Sequence, residues 1–150
     1  MLKRLALSVL AVLALPLAAH AANCNTPNSI VKISNSKQGP WEFVDFYVKQ
    51  PLTGTVALTA PTGPNFREDP SDLPIFIPGN RWTAVRFRSM DWMCTTPTQF
   101  ALPKTIVKSI KQTERFEGNV TYVIGRNGNH FMGSSWSPVG TLQRLRLKYL

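Results

Sequence analysis

Outside its first 22 residues this chain never keeps an apolar period of 3.6 for three turns, which excludes a core built from amphipathic helices. What recurs instead is a period of two in short runs. Trp41 to Val48 (WEFVDFYV) sets Val44, Phe46 and Val48 on one face and Asp45 and Tyr47 on the other. Trp82 to Arg88 (WTAVRFR) alternates Val85 and Phe87 with Arg86 and Arg88. Thr141 to Leu150 (TLQRLRLKYL) sets Leu145, Leu147 and Tyr149 against Arg144, Arg146 and Lys148. Ser29 to Ser34, Thr55 to Thr59, Asn119 to Ile124 and His130 to Trp136 read as further strands, as does Thr105 to Lys111, with Ile106 and Ile110 opposite Val107. Leu73 to Ile77 carries Pro74 and suits an edge strand only. Pro61 to Pro70, with three prolines, Gly63 and several charges, reads as a surface loop. Asn127-Gly128 predicts a tight hairpin, because both central residues of a type I′ turn need positive φ. About eight short strands between Gly and Pro turns predict an all-β single domain over residues 23–150, a β-sandwich or partly open barrel.

The first 22 residues are different in kind. Lys3 and Arg4 precede an apolar run from Leu5 to Ala19, and Ala19-His20-Ala21 supplies a small-x-small cleavage pattern. This is the layout of a secretory signal peptide, with cleavage after Ala21 or Ala22, and the run is short for a membrane span, which needs about 20 residues. Asn23 before Cys24 does not suit a lipoprotein site, so a soluble secreted or periplasmic product without a transmembrane segment is expected. Both cysteines, Cys24 and Cys94, survive cleavage. An even pair in an exported chain predicts a disulfide, worth about 4 kcal/mol on the chain-entropy view. A metal site on these two and His130, the only histidine left after cleavage, lacks the paired spacing that zinc sites show. Neither metal nor cofactor is expected.

Charge is unevenly placed. Removing Lys3 and Arg4 leaves 15 basic against 8 acidic residues, net +7. Residues 23–72 carry 4 basic and 5 acidic groups, whereas residues 73–150 carry 11 basic and 3 acidic. Arg86, Arg88, Arg144, Arg146 and Lys148 occupy alternate positions of two strands, about 6.8 Å apart along each. If those strands are neighbours, the two rows merge into one patch. Such a field attracts an anionic polymer: acidic polysaccharide, wall-linked polymers or lipopolysaccharide phosphates, with nucleic acid ranked below them. The competing explanation is that edge-strand cations simply prevent aggregation. An envelope protein is the alternative partner.

No H-E-x-x-H, G-x-S-x-G, phosphate-loop or dinucleotide motif occurs, so no catalytic residue is assigned and an enzyme is not expected. A small hydrolase or nuclease would have to gather His130 with Glu114 or Glu117. Asn119-Val120-Thr121 matches a glycosylation sequon inside a strand, and chance explains it. Trp41, Trp82, Trp92 and Trp136 suit packing more often than sugar stacking.

Two stretches carry a resemblance. Ile30-Val31-Lys32-Ile33, then Gly39-Pro40-Trp41-Glu42-Phe43-Val44-Asp45-Phe46-Tyr47-Val48, Pro51 and Gly54, is answered by Phe116-Glu117-Gly118, Val120-Thr121-Tyr122-Val123-Ile124-Gly125, Phe131, Pro138 and Arg144-Leu145. This order resembles the AMIN-like domains of exported bacterial proteins. The resemblance implies a β-sandwich and a non-catalytic, envelope-binding role at the cell wall, and it supplies no catalytic residues. Glu42 and Phe43 depart from its opening motif, and Arg146 and Lys148 interrupt its apolar closing strand.

Overall fold

The computed structural model of the chain describes residues 26–94, 105–128 and 130–150. The expected signal segment and Cys24 lie outside the described residues. Within them, ten strands form: β1 (Ile30–Gln38), β2 (Trp41–Lys49), β3 (Thr55–Thr59), β4 (Asn65–Arg67), β5 (Pro74–Phe76), β6 (Arg81–Arg88), β7 (Val107–Phe116), β8 (Asn119–Arg126), β9 (Phe131–Val139) and β10 (Leu142–Tyr149). One antiparallel sheet runs β1-β2-β10-β9 and a second runs β3-β6-β8-β7, while β4 and β5 pair by themselves. The all-β expectation therefore holds, with eight strands in the two main sheets. No helix among the described residues is long and apolar enough to cross a membrane.

The alternating side chains meet between the sheets. Phe46 of β2 packs on Phe87 of β6 and Tyr122 of β8, with ring centroids 5.3 and 5.5 Å apart. Val44, Val48, Leu145 and Leu147 from the first sheet and Val85, Val120 and Ile124 from the second complete a continuous buried cluster. Such burial contributes about 1.5–3 kcal/mol per large apolar side chain before conformational entropy is charged against it.

Strand β8 is buried on both faces, which is why its sequence (NVTYVIGR) alternates so weakly. Val120, Tyr122 and Ile124 point between the sheets. Val123 points the other way, into a second small core with Ile77 and Ala84, against which Phe66, Ile75 and Trp82 pack. The β4–β5 pair thus roofs part of the second sheet's outer face. Gly125 is required there: a Cβ would stand 1.9 Å from the carbonyl oxygen of Pro78.

Three expectations are corrected. The stretch Pro61 to Pro70 is more than a loop, since β4 lies within it and pairs with β5, Arg67 opposite Pro74. Asn127-Gly128 does not close a hairpin, because β8 and β9 belong to different sheets and the chain crosses between them there. Val107 does not oppose Ile110: a bulge between Val107 and Ser109 restarts the alternation, so both side chains are buried in the main core.

Candidate functional site

The inward faces of β2 and β10 are fixed by Val44, Phe46, Val48, Leu145, Leu147 and Tyr149, all buried. Alternation then forces Trp41, Phe43, Asp45 and Tyr47, and Arg144, Arg146 and Lys148, onto the outer face of the first sheet. The register sets Tyr47 opposite Arg144, Asp45 opposite Arg146 and Phe43 opposite Lys148. Lys32 of β1 stands beside this row, opposite Tyr47.

The geometry is a lattice of cations on rings. Lys148 Nζ lies 3.6 Å from the Trp41 ring centroid, the Arg146 guanidinium carbon 4.7 Å from Phe43, and Lys32 Nζ 5.4 Å from Tyr47. Arg146 also forms a two-pronged pair with Asp45, Nε to Oδ1 at 2.8 Å and Nη2 to Oδ2 at 2.7 Å. That bonding raises the pKa of Arg146 above its ordinary value and holds the side chain flat on the sheet. Arg144 donates to the Ser137 hydroxyl at 3.1 and 3.0 Å, a neutral partner. Among the described residues Lys32, Arg144, Arg146 and Lys148 thus share a face with a single carboxylate, Asp45, which is buried beneath Arg146.

A hollow of about 210 Å³ opens on this face, lined by Phe43, Met132, Gly133, Ser134, Ser135, Arg146 and Lys148. Gly133 sits opposite Lys148, and a Cβ there would meet nothing within 4 Å, so the missing side chain widens the hollow. Charge, a ring and hydroxyls converge on it.

The five expected contact residues do not form one patch. β6 and β10 lie in different sheets, so Arg86 and Arg88 occupy the outer face of the second sheet, apart from Arg144, Arg146 and Lys148. Arg86 is further committed: its Nη2 meets Glu114 Oε1 at 2.7 Å, and the other oxygen of Glu114 accepts from Thr121. Arg88 ends β6, exposed, opposite Thr55.

The hydrolase constellation is not assembled either. Glu114 is occupied by Arg86 and Thr121, while Glu117 turns the β7–β8 hairpin with φ 48°, at the opposite end of β8 from His130. His130 is exposed, and its carbonyl accepts from Leu150 N at 3.0 Å. No group of three or more His, Cys, Asp and Glu among the described residues is arranged to hold a metal ion. Of the tryptophans, Trp41 belongs to the cationic face, Trp82 donates from Nε1 to Ile77 O at 3.0 Å, and Trp92 packs edge-on against Phe116. Trp136 is partly exposed on β9.

Sequence reasoning missed one structural residue. Glu42 is fully buried, and its carboxylate accepts from Ile106 N at 2.9 Å and Val107 N at 2.8 Å. It ties β2 of one sheet to the start of β7 in the other. Its position shared the parity of Val44, Phe46 and Val48, and an acid on an apolar face was the available clue.

Comparison of the chain with protein-family models, curated proteins and solved structures finds no match.

Proposed function

We propose that the protein is a non-catalytic, exported binding module of the bacterial cell envelope, and that it holds an anionic glycan on the outer face of its first sheet. One observation carries the reading: β10 presents Arg144, Arg146 and Lys148 on an accessible, ring-studded face that, among the described residues, offers only Asp45 as a counter-charge. Rings suit sugar faces, cations suit carboxylate or sulfate groups, and the hollow beside Gly133 can seat a charged substituent of one sugar unit. The resemblance to AMIN-like domains points in the same direction. Arg86 and Arg88 are outside this contact surface.

Export and the Cys24–Cys94 disulfide belong to the same proposal. Thr26 donates its hydroxyl to the Asp91 carboxylate, and Asp91 N donates to Asn28 O at 3.1 Å. The chain approaching β1 therefore runs beside the segment that ends in buried Cys94.

The test is titration with polygalacturonate, with uncharged dextran and an oligodeoxythymidine as comparators. The reading expects polygalacturonate binding that disappears by about 0.5 M salt, where screening is nearly complete at contact distance. Equal binding of dextran, salt-independent binding, or preference for the oligonucleotide would remove it. A protein partner is the second reading, favoured by the edge strand β9, which leaves Met132, Trp136 and Val139 exposed. Loss of an envelope partner on Trp136→Ala with glycan binding absent would select it.

A further inference from the structure

A second feature lies between the sheets, away from the cationic face. Arg126 ends β8 with its residue only 7% exposed. Its Nη1 donates to Gly128 O at 2.6 Å and its Nε to the Thr83 hydroxyl at 3.4 Å, and both partners are neutral. No ion pair among the described residues includes Arg126, and the neighbouring charge that acts on it is another cation, Arg81. Burial does most to lower its pKa, Tyr149 opposes that, and the repulsion from Arg81 is the smallest of the three influences. An uncompensated buried guanidinium is a costly thing for a fold to keep.

Its surroundings are also incomplete. The guanidinium carbon lies 5.8 Å from the Tyr149 ring centroid, and the Tyr149 hydroxyl is buried without a hydrogen-bond partner of normal geometry. Phe131 packs on the same ring at 5.6 Å. Beside this group is a cavity of about 200 Å³, lined by Leu58, Thr59, Ala60, Thr83, Arg126 and Phe131. The end of β3, the start of β9 and the buried arginine thus share one space, most of whose wall is apolar.

We propose that this cavity binds a small monocarboxylate with an apolar body, its carboxylate on Arg126 and Thr83 and its tail against Leu58 and Phe131. A guanidinium fork matches the two oxygens of a carboxylate, and one cation in an apolar wall compensates one negative charge. At about 30 Å³ for each water-sized group the space admits roughly seven non-hydrogen atoms, so a six-carbon acid fills it with its carboxylate at the mouth. This site shares no residue with the glycan face and does not depend on it.

The test titrates the purified full-length secreted protein with hexanoate and with hexanamide by calorimetry. Hexanoate should bind saturably and raise the melting temperature, and hexanamide should bind at least about tenfold more weakly, since it lacks the charge. Arg126→Gln should abolish the hexanoate response, Thr83→Val should weaken it, and Lys148→Ala should leave it unchanged. Absence of saturable hexanoate binding, equal binding of hexanamide, or an undiminished response in folded Arg126→Gln would each overturn the proposal. Should Arg126→Gln fail to fold, the acid-against-amide comparison on the unaltered protein still decides it. Failure of polygalacturonate binding leaves this result untouched, so the two readings can fall separately.

Discussion

The two outer faces of the sandwich begin from the same pattern and end differently. Strands β6 and β10 both alternate buried apolar residues with cations, yet β6 belongs to a sheet whose outer face is partly roofed by the β4–β5 pair. There Ile77, Ala84 and Val123 make a small core, and Arg86 is held by Glu114. On β10 Lys148 and Arg146 stack on Trp41 and Phe43, Arg144 meets only the Ser137 hydroxyl, all three stay partly accessible, and a hollow lies between them and β9. Alternation decides which side of a strand a residue takes. What the neighbouring strands set beside it, a carboxylate for Arg86 and Arg146 or a ring or hydroxyl for Lys148 and Arg144, decides whether the residue is neutralised or left for a partner.

Ways to break this contrast run from large effects to small. Ile77→Ala removes a fully buried side chain from the roof and should cost about 3–4 kcal/mol, measured by urea unfolding. A loss under about 1 kcal/mol would mean that the roof is not a packed core. Glu42→Ala should cost about 3 kcal/mol, because two amides lose a charged acceptor, and Glu42→Gln should recover part of that. The double variant Arg144→Ala/Lys148→Ala should weaken polygalacturonate at least about tenfold (~1.4 kcal/mol), while Arg86→Ala/Arg88→Ala leaves it within about twofold. Similar losses for both pairs would erase the distinction between the faces.

Tyr149→Phe should be the mildest change, within about 0.5 kcal/mol at neutral pH, since the hydroxyl it deletes makes no hydrogen bond of normal geometry. Burial pushes the Tyr149 phenol above its ordinary value, so the fold favours the neutral form. That contribution is present below the unfolded-chain value of about 10 and is lost as pH rises beyond it. Denaturation curves in the alkaline range should therefore decline less steeply for Tyr149→Phe than for the parent chain.

Much of the fold was legible because most strands have one buried face. Residues 41–48, 55–59, 82–88 and 141–150 were read to within a residue of their observed limits. Legibility failed where a local rule met a nonlocal partner. Pro61 to Pro70 looked like a loop, yet a three-residue strand tolerates Pro74 opposite Arg67. Asn127-Gly128 has the composition of a tight turn, but a dipeptide cannot report that the flanking strands belong to different sheets. The same blindness split the expected basic patch: the sequence placed Arg86 and Arg144 outward correctly and carried no information on which sheet each joins.

The carboxylate of Glu42 has a consequence for how this chain tolerates change. Because it binds Ile106 and Val107 directly, the start of β7 is held by a side chain of the opposite sheet as well as by its ladder with β8. A change at this one position would therefore be felt in both sheets at once, at β2 and at the start of β7.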